Sequence, residues 1–436
     1  MRIGLINYYL RTKEYPTRYS LSVLRIAEYL NSLKYNVEIL PISLSCNEDD
    51  IVNFIKNNIK NQFDIIGISH YVWSTKMTQY ISNKIRELTP EVNTIIGGPE
   101  VRYIDFKDYE NELFILGEGE QSLANSINYI VNHKKDLNFF DENSNVFDRY
   151  HPNASINEIP INYINPLFTK FKNIDKDFLY YETSRGCCYK CGYCGFRNRE
   201  NISNFDLEFI REEIKRIGEL QFKEVFVIDA NFGGTPDRAK KIMNFFNEYA
   251  SNAVLTIYLR PEFIDDEMIE ILKNSNLKEI RIGIQTTNKN VPDWIRTNSL
   301  YHIMEELPKL ASNNINWKAE LIIGLPGDDM IGFKKSIDFV EKNLKPSEYC
   351  CYPLTLIKDT PLYELLNNFD KNNNLWITMD SESRAYSSSS YTHEDLIAMH
   401  NYAIMRMNQY LNKNNHFNEK KIQKKLLNKV IYKDIY

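Results

Sequence analysis

The stretch RGCCYKCGYC, residues 185–194, places four of the chain's seven cysteines within eight positions. Cys187, Cys191 and Cys194 have the spacing Cys-x3-Cys-x2-Cys, and Cys188 in place of Cys187 gives Cys-x2-Cys-x2-Cys. A structural zinc site uses four protein ligands, and a ferredoxin cluster takes four cysteines. The remaining cysteines are all distant in the sequence, at Cys46, Cys350 and Cys351. The loop therefore favours a cluster held by three thiolates, and a zinc site is the second interpretation.

The composition of the chain is that of a soluble globular protein. It has 436 residues, of which 43% are hydrophobic and 25% are charged, and these values predict two domains with cores of their own. The formal net charge of −5 argues against a nucleic-acid surface, and no apolar run is long enough for a membrane span. The N-terminal MRIGLINYYL lacks the pattern of a signal peptide, so we expect a cytoplasmic protein with reduced thiols.

Residues 1–136 alternate short apolar segments with helical patterns. The segments that predict strands are RIGLIN (2–7), VEILPI (37–42), DIIGIS (64–69), NTIIGG (93–98) and LFILG (113–117). The helical patterns between them cover 21–33, 51–60, 77–88 and 122–131. Strands that are apolar on both faces and separated by helices indicate a doubly wound parallel sheet of the Rossmann type. Such sheets bind ligands at the carboxyl ends of their strands, which here carry the turns GGPE and GEGE.

A second region of alternating strands and helices follows residues 137–175, which show no sustained periodicity and predict a linker. Residues 176–365 predict a partial (β/α)6 barrel, with strands at 178–183, 224–234, 254–263, 279–288, 318–329 and 349–357. Barrels carry functional groups at the carboxyl ends of their strands. We therefore expect these polar side chains to face the cavity mouth: Asp229, Asn231, Arg260, Glu262, Gln285 and Thr286. A buried hydrogen-bonding or capping role is the alternative for each of them.

Residues 366–436 predict a C-terminal loop and helical extension. A polar loop precedes THEDLIAMHNYAIMRMNQYL (392–411), a helical pattern for which Thr392 is the predicted N-cap. The final segment, residues 420–436, is basic and amphipathic. It predicts either a solvated helix packed on the barrel or a contact for an acidic peptide substrate or partner.

The motif Cys-x3-Cys-x-aromatic-Cys, preceded by SRG, resembles the radical S-adenosylmethionine (SAM) superfamily. The resemblance implies that Cys187, Cys191 and Cys194 hold a 4Fe–4S cluster. SAM chelates the fourth iron through its amino and carboxylate groups. An electron from the cluster then breaks the sulfonium C–S bond and releases a 5′-deoxyadenosyl radical. The resemblance also implies that Cys188 takes no part in this arrangement and that Tyr193 would lie beside the adenine.

Other segments extend this resemblance to the SAM pocket. RIGIQT and ELIIGLPGD match family segments, whereas DANFGGT stands in place of the Gly-Gly-Glu motif that binds the methionine amino group. Backbone carbonyls from Asp229 to Asn231 would then take over that contact, and the Arg260 guanidinium suits the methionine carboxylate. The implied SAM-binding residues are Tyr193, Asp229, Asn231, Arg260, Gln285, Gly324 and Leu325.

DIIGISHYVWS, GGPEVRY and FILGEGEQSL resemble the cobalamin-binding domain that is fused to many radical SAM enzymes. The resemblance implies cobalamin contacts at Ser69, Gly97, Gly98, Gly117 and Gly119. The Asp-x-His-x-x-Gly motif, which supplies a histidine ligand to cobalt in the wider superfamily, is absent. We therefore expect cobalamin without histidine ligation. The alternative is a domain that has lost the corrin and binds a peptide or partner.

These resemblances together predict a cobalamin-dependent radical SAM C-methyltransferase that acts on a peptide or a small natural product. One alternative is a non-methylating radical SAM enzyme that epimerises, cyclises or crosslinks its substrate without using cobalamin. A redox-sensing or zinc-binding regulator is a different class that the cysteine loop alone leaves open. The expected partners are the substrate and an electron donor such as flavodoxin or ferredoxin, with no nucleic acid and no membrane.

Overall fold

The structure is a computed structural model, and it describes residues 1–9, 20–103, 112–115, 117–133, 146–147, 176–198, 202–296, 300–372 and 374–414. The chain divides into two compact units, of which the first ends at Phe178 and the second begins at Leu179. Nearly all of the predicted linker, 137–175, lies outside the described residues, as does the basic segment 420–436.

The first unit is built on a six-stranded sheet in the order β2-β1-β3-β4-β5-β6, in which all neighbouring strands are parallel. The strands are β1 Arg2–Tyr9, β2 Asn36–Ser43, β3 Ile65–Ser69, β4 Asn93–Gly97, β5 Leu113–Ile115 and β6 Val146–Phe147. The helices between them are α1 Leu21–Ser32, α2 Glu48–Asn58, α3 Thr75–Leu88 and α4 Gly119–His133. The predicted doubly wound parallel sheet is confirmed. Its sixth strand, β6, comes from the stretch that was predicted as linker.

Each face of this sheet is covered by its own pair of helices. Side chains of α1 and α4, such as Val23 and Leu123, pack with Ile3 in one apolar cluster. Side chains of α2 and α3, such as Ile55 and Ile81, form the other cluster. Because both faces are buried, the strands read as continuous apolar runs. The strand order reverses between β1 and β3, and ligands of such sheets bind outside the carboxyl ends of the strands at this switch point.

The second unit contains another six-stranded sheet, in the order β14-β13-β12-β11-β10-β7. Its strands are β7 Phe178–Tyr181, β10 Glu224–Val227, β11 Val254–Tyr258, β12 Leu277–Gln285, β13 Trp317–Ile323 and β14 Glu348–Pro353, and two short strands, β8 Ser184–Arg185 and β9 Ser203–Asn204, pair separately. The helices are α5 Leu207–Glu219, α6 Pro236–Tyr249, α7 Asp266–Lys273, α8 Leu300–Glu305, α9 Leu307–Ser312, α10 Met330–Phe339 and α11 Pro361–Glu364. The six predicted barrel strands are thus confirmed.

Several barrel strands end earlier than predicted. The strand predicted over 224–234 ends at Val227, and the chain then turns through Asp229, which is 1% exposed and bonded to the backbone. The strand predicted over 254–263 ends at Tyr258, shortly before Pro261 begins a 3-10 turn. Proline has no amide hydrogen to donate to a neighbouring strand, so the ladder stops before it.

The two faces of the barrel sheet differ in polarity. Ile280, Ile282 and Ala319 face the helices and are fully buried. The alternate positions carry charged side chains in ion pairs, Arg281–Glu279 at 2.6 Å and Lys318–Glu348 at 3.0 Å. The alternation follows from the two-residue period of a strand. The face of the sheet that lies away from the helices is therefore polar.

The region after residue 365 belongs to the second unit as far as it is described. It forms an antiparallel hairpin, β15 Ile377–Met379 and β16 Ala385–Ser388, and then the helix α12 His393–Asn414. Thr392 and Asp395 cap this helix, with the Thr392 hydroxyl accepting from the Asp395 amide at 3.2 Å and the Asp395 carboxylate accepting from the Thr392 amide at 3.0 Å. The predicted N-cap and helical extension are confirmed. In the part of the chain that the structure describes, no helix has the length and apolar content needed to cross a bilayer.

Candidate cofactor sites

The cysteine loop (residues 186–195) follows the first barrel strand, β7, and is held by backbone contacts from two other segments. The Gly192 amide donates to the carbonyls of Trp294 at 2.9 Å and Ile295 at 3.1 Å, and its own carbonyl accepts from the Leu362 amide at 3.0 Å. A Cβ at position 192 would lie 2.6 Å from the Trp294 ring, so only glycine allows this approach. The shape of the loop therefore depends on contacts with residues that lie far away in the sequence.

The four cysteines of the loop differ in exposure. Cys191 is buried, Cys187 and Cys194 are half-buried, and Cys188 is exposed. Burial raises the pKa of the Cys187 thiol, while a hydrogen bond from the Tyr189 backbone opposes this rise. In the described residues, no three His, Cys, Asp or Glu side chains converge on a single metal ion. A 4Fe–4S cluster does not need such convergence, because its cysteines bind different iron atoms. The assignment of Cys187, Cys191 and Cys194 as ligands stays a prediction.

Asp229 is buried beyond the end of β10 and bonds to the protein itself, which is the alternative role that the sequence left open for it. Its carboxylate accepts from the amides of Thr183 at 2.6 Å, Ser184 at 3.1 Å and Gly233 at 3.0 Å, and from the Thr183 hydroxyl. Burial raises the pKa of Asp229 to about 6, although these four hydrogen bonds counteract the shift. The Asp229 side chain is thus used by the protein itself, and only its backbone atoms are left for a cofactor.

Thr286 is likewise buried at a strand end and serves the protein itself. Its hydroxyl donates to the Asp328 carboxylate at 3.1 Å, which also accepts from the Asn288 amide group at 2.8 Å. Burial raises the pKa of Asp328 to about 6. These contacts link the end of β12 to the turn that follows β13, which is the alternative role that the sequence left open for Thr286.

Arg260 lies close to the cysteine loop. Its guanidinium stacks on the Tyr189 ring, 3.4 Å from the ring centroid. The Nε and Nη2 atoms donate to the Glu262 carboxylate at 3.1 and 3.0 Å, and the Arg260 amide donates to Asn231 Oδ1 at 3.2 Å. Arg260, Glu262 and Asn231 are therefore brought together. A ligand carboxylate at Arg260 would share the guanidinium with Glu262, which the sequence had not indicated.

Two buried polar atoms at the strand ends have no hydrogen-bond partner among the described residues. They are Asn231 Nδ2 and Gln285 Oε1. Gln285 follows a bulge in β12 and has the left-handed backbone angle φ 58°, and a Cβ at Gly283 would lie 2.2 Å from its Nε2 atom. The absence of a side chain at Gly283 thus leaves the space that the Gln285 amide occupies. A donor and an acceptor without partners fit a polar ligand such as SAM, because buried polar groups normally carry a hydrogen bond.

Arg296 is a residue that the sequence analysis missed. Its guanidinium donates to the carbonyl of Ile284 at 2.9 Å and to that of Gly283, and it hydrogen-bonds Tyr193. Burial lowers the pKa of Arg296 to about 10, and nearby Tyr193 opposes this shift. Burial also raises the pKa of Tyr193. Arg296 joins the β12 bulge to the cysteine loop, and only its position between two motifs could have pointed to it.

The GLPG turn (Gly324–Gly327) follows β13 and was expected to contact SAM through Gly324 and Leu325. Leu325 is fully buried in an apolar cluster with Ile295 and Leu354, so its side chain is not available to a ligand. The Gly324 carbonyl accepts a hydrogen bond from the Tyr391 hydroxyl at 2.6 Å. Any cofactor contact made by this turn must therefore come from other backbone atoms.

The carboxyl edge of the first unit brings together the residues expected at cobalamin. Ser69 and Gly97 are register partners at the ends of β3 and β4, and Gly97 also pairs with Ile115 at the end of β5. Gly117 is exposed, with φ 86°. The need for glycine at position 119 has another reason, since a Cβ there would lie 2.7 Å from Ile26 of α1. Gly119 is thus explained by helix packing.

Gly98 lies close to the backbone of His70 at this edge. It has φ 122°, and a Cβ would lie 2.4 Å from the His70 carbonyl oxygen. His70 is 2% exposed, and burial lowers its pKa to about 4. Its Nδ1 atom has no partner among the described residues. His70 directly follows β3 and stands outside an Asp-x-His-x-x-Gly motif, and so the sequence did not indicate it.

Two family models match separate parts of the chain. The Radical SAM superfamily matches residues 181–340, which include the cysteine loop, β10 to β13 and the GLPG turn. The B12 binding domain matches residues 16–126, which include β2 to β5 and their carboxyl ends.

Curated relatives are similar over most of this chain. The 2-(S-pantetheinyl)-carbapenam-3-carboxylate methyltransferase of Streptantibioticus cattleyicolor is 24% identical over 331 residues, 69% of this chain and 48% of that protein. The cobalamin-dependent radical SAM methyltransferase TokK of Streptomyces tokunonensis is 22% identical over 329 residues, again 69% of this chain and 48% of the relative. The chain therefore spans about half the length of these relatives.

A solved structure has the same arrangement of elements. The cobalamin-dependent S-adenosylmethionine radical enzyme OxsB, determined with aqua-cobalamin bound, matches with a TM-score of 0.68 at 17% identity. The match covers 98% of this chain and 70% of that one. At this level of identity the similarity establishes the fold.

Proposed function

We propose that this chain is a cobalamin-dependent radical SAM methyltransferase, because residues 181–340 match the radical SAM superfamily and residues 16–126 match the B12 binding domain. The two matches imply a 4Fe–4S cluster, SAM and cobalamin as cofactors. The presence of both domains in one chain is the observation that carries the proposal. Two relatives named as methyltransferases support methyl transfer. We propose a carbon atom as the acceptor and a peptide or a small natural product as the substrate.

The bound cofactors supply a 5′-deoxyadenosyl radical for hydrogen abstraction and a methyl group for transfer. In our proposal, the thiolates of Cys187, Cys191 and Cys194 hold the cluster, and the exposed Cys188 stays outside it. The hydrogen bonds at Gly192 keep the loop in place. With three cysteine ligands, one iron would lack a thiolate and would be available to the amino and carboxylate groups of SAM.

The residues around the cysteine loop orient SAM in this proposal. Gln285 Oε1 and Asn231 Nδ2 offer an acceptor and a donor that the protein does not use itself. The Arg260 guanidinium supplies positive charge, and its stacking on Tyr189 fixes its plane. At the edge of the other sheet, Ser69 and the backbone at Gly97 would receive the corrin. An electron donor of the flavodoxin or ferredoxin type would reduce the cluster.

The products of SAM distinguish methylation from the non-methylating alternative even while the substrate is unidentified. A SAM molecule that gives up its methyl group becomes S-adenosylhomocysteine, whereas one that is reductively cleaved becomes 5′-deoxyadenosine and methionine. We expect the anaerobic, reduced protein to form both products, and S-adenosylhomocysteine only when cobalamin is present. Formation of 5′-deoxyadenosine alone, at the same rate with and without cobalamin, would favour the non-methylating enzyme.

Replacing Gln285 by alanine is expected to weaken SAM binding without lowering the iron content. Loss of a hydrogen bond to a buried group costs about 1–3 kcal/mol, which corresponds to roughly five- to 150-fold in affinity. The measurement is equilibrium binding of SAM to cluster-loaded protein. Arg260→Ala is expected to act in the same direction.

Gln221→Ala is the matched control for this substitution. Gln221 has φ 59°, nearly the same backbone angle as Gln285, and its side chain donates to the Gly218 carbonyl at the end of α5 at 2.7 Å. Both substitutions therefore place alanine in the same left-handed conformation. Equal SAM affinity in Gln285→Ala and the wild-type protein would remove Gln285 from the pocket.

A further inference from the structure

The C-terminal segment Ser383–Leu396 folds back onto the barrel beside the GLPG turn. Arg384 forms an antiparallel bridge with Thr355, just beyond the end of β14. The Leu356 amide donates to the Ser383 carbonyl at 2.7 Å, and the Ala385 amide donates to the Leu354 carbonyl at 2.9 Å. A region that the sequence predicts as an appended loop is thus joined to the barrel by backbone hydrogen bonds.

Two side chains of this segment bond to the two ends of the GLPG turn. The Tyr391 hydroxyl donates to the Gly324 carbonyl at 2.6 Å, and the Ser390 hydroxyl accepts from the Gly327 amide at 3.0 Å. Tyr391 is 4% exposed, so the bond at Gly324 is shielded from water. Removing the donor would leave the buried Gly324 carbonyl without a hydrogen bond, because water cannot reach it. An unsatisfied buried acceptor of this kind destabilises the fold.

The GLPG turn has positive φ angles at both of its glycines. Gly324 and Gly327 have φ angles of 91° and 90°. A Cβ on Gly324 would lie 2.9 Å from Leu396 Cδ1, and a Cβ on Gly327 would lie 2.4 Å from the Asn290 carbonyl oxygen. Glycine permits this shape but also permits many others. Contacts from outside the turn must therefore select it.

We propose that Tyr391 and Ser390 are positioning residues that hold the GLPG turn in the shape that binds SAM. The inference rests on the proposed function, since it takes the turn to be part of the SAM pocket. The turn is also linked to the end of β12. Asp328, which directly follows the turn, accepts hydrogen bonds from Thr286 and Asn288, which follow β12. Gln285 immediately precedes Thr286. The C-terminal segment and the end of β12 thus both hold the turn.

Tyr391→Phe tests this inference because it removes one hydroxyl and keeps the ring. We expect the dissociation constant for SAM to rise roughly three- to tenfold, because the unbonded Gly324 carbonyl loosens the turn. The Michaelis constant for SAM should rise by the same factor in 5′-deoxyadenosine formation. Turnover at saturating SAM should not change, since neither the cluster nor its ligands are touched.

Tyr410→Phe is the matched control. The Tyr410 hydroxyl also donates to a backbone carbonyl at 2.6 Å, that of Pro346, and Tyr410 lies near the end of α12. A purely structural role of Tyr391 would lower the melting temperature in both variants and leave the SAM affinity of both alike. The inference requires a change in SAM affinity in Tyr391→Phe only. Equal affinities in the two variants overturn it.

Hydrogen–deuterium exchange gives a second readout. If the segment and SAM both stabilise the turn, SAM must in return stabilise the segment. We expect SAM to slow amide exchange in the peptide that covers residues 385–392 of the wild-type protein, and to do so less in Tyr391→Phe. Unchanged exchange in wild-type protein that binds SAM contradicts the inference. Wild-type protein that fails to bind SAM at all contradicts the proposed function.

Discussion

Protein in which alanine replaces Cys187, Cys191 or Cys194 is expected to lose its 4Fe–4S cluster completely after anaerobic reconstitution. In our assignment each thiolate would bind a different iron atom, and the exposed Cys188 does not replace Cys187. Cleavage of SAM to 5′-deoxyadenosine should disappear with the cluster. The measurements are iron and sulfide content, the visible spectrum and the yield of 5′-deoxyadenosine.

Cys188→Ala is the control because it makes the same change next to Cys187. Its side chain is exposed, and the spacing Cys-x3-Cys-x2-Cys does not use it. We expect it to keep the iron content of the wild-type protein. An equal loss of iron in Cys188→Ala, or a full cluster in one of the other three variants, would show that the ligand assignment is wrong. Circular dichroism of the iron-free proteins separates loss of the cluster from loss of the fold.

Gly97→Leu is expected to abolish cobalamin binding while the first unit stays folded. Gly97 lies at the carboxyl edge of the sheet, and a Cβ there would be 3.7 Å from Ile115, an ordinary contact. Gly97→Ala should therefore keep the corrin, whereas the longer leucine side chain would occupy its place. An overlap of this kind costs about 1–3 kcal/mol, or roughly five- to 150-fold in affinity. The measurement is corrin absorbance that remains after desalting.

Gly98→Ala is expected to lose cobalamin for a different reason. At φ 122° the added Cβ would collide with the His70 carbonyl oxygen, so the turn itself must move. Strain of this type costs about 1–3 kcal/mol, and it should also lower the melting temperature of the first unit. Corrin that stays bound to Gly97→Leu would exclude this edge as the cobalamin site. An unchanged melting temperature in Gly98→Ala would show that the turn adapts.

The sequence was sufficient for the features that depend on neighbouring residues. The two family matches confirm the resemblance drawn from the cysteine loop and the glycine turns. The alternation of apolar segments and helical patterns predicted both sheets, because a parallel strand that is buried on two faces has a recognisable composition. The cap at Thr392 was predictable for the same reason, since Asp395 lies within one helical turn of it.

The sequence was not sufficient where a side chain finds its partner far along the chain. Asp229 follows an apolar strand, and it looked like a residue of the barrel mouth. Its carboxylate instead binds Thr183, which is 46 positions away. Arg296 lies in a short irregular stretch, where no periodicity marks it. Tyr391 stands in a polar segment, and only the folded chain brings it to Gly324.

The contacts of Gly192 also have a consequence for how the protein is made. The loop is held by Trp294, Ile295 and Leu362, which the ribosome adds long after the cysteines. These hydrogen bonds can form only once residue 362 has been added, so the cysteine loop cannot reach its final shape before then. We therefore expect iron and sulfide to be loaded into the completed second unit. Iron limitation during expression should accordingly yield a folded apoprotein that can be loaded afterwards.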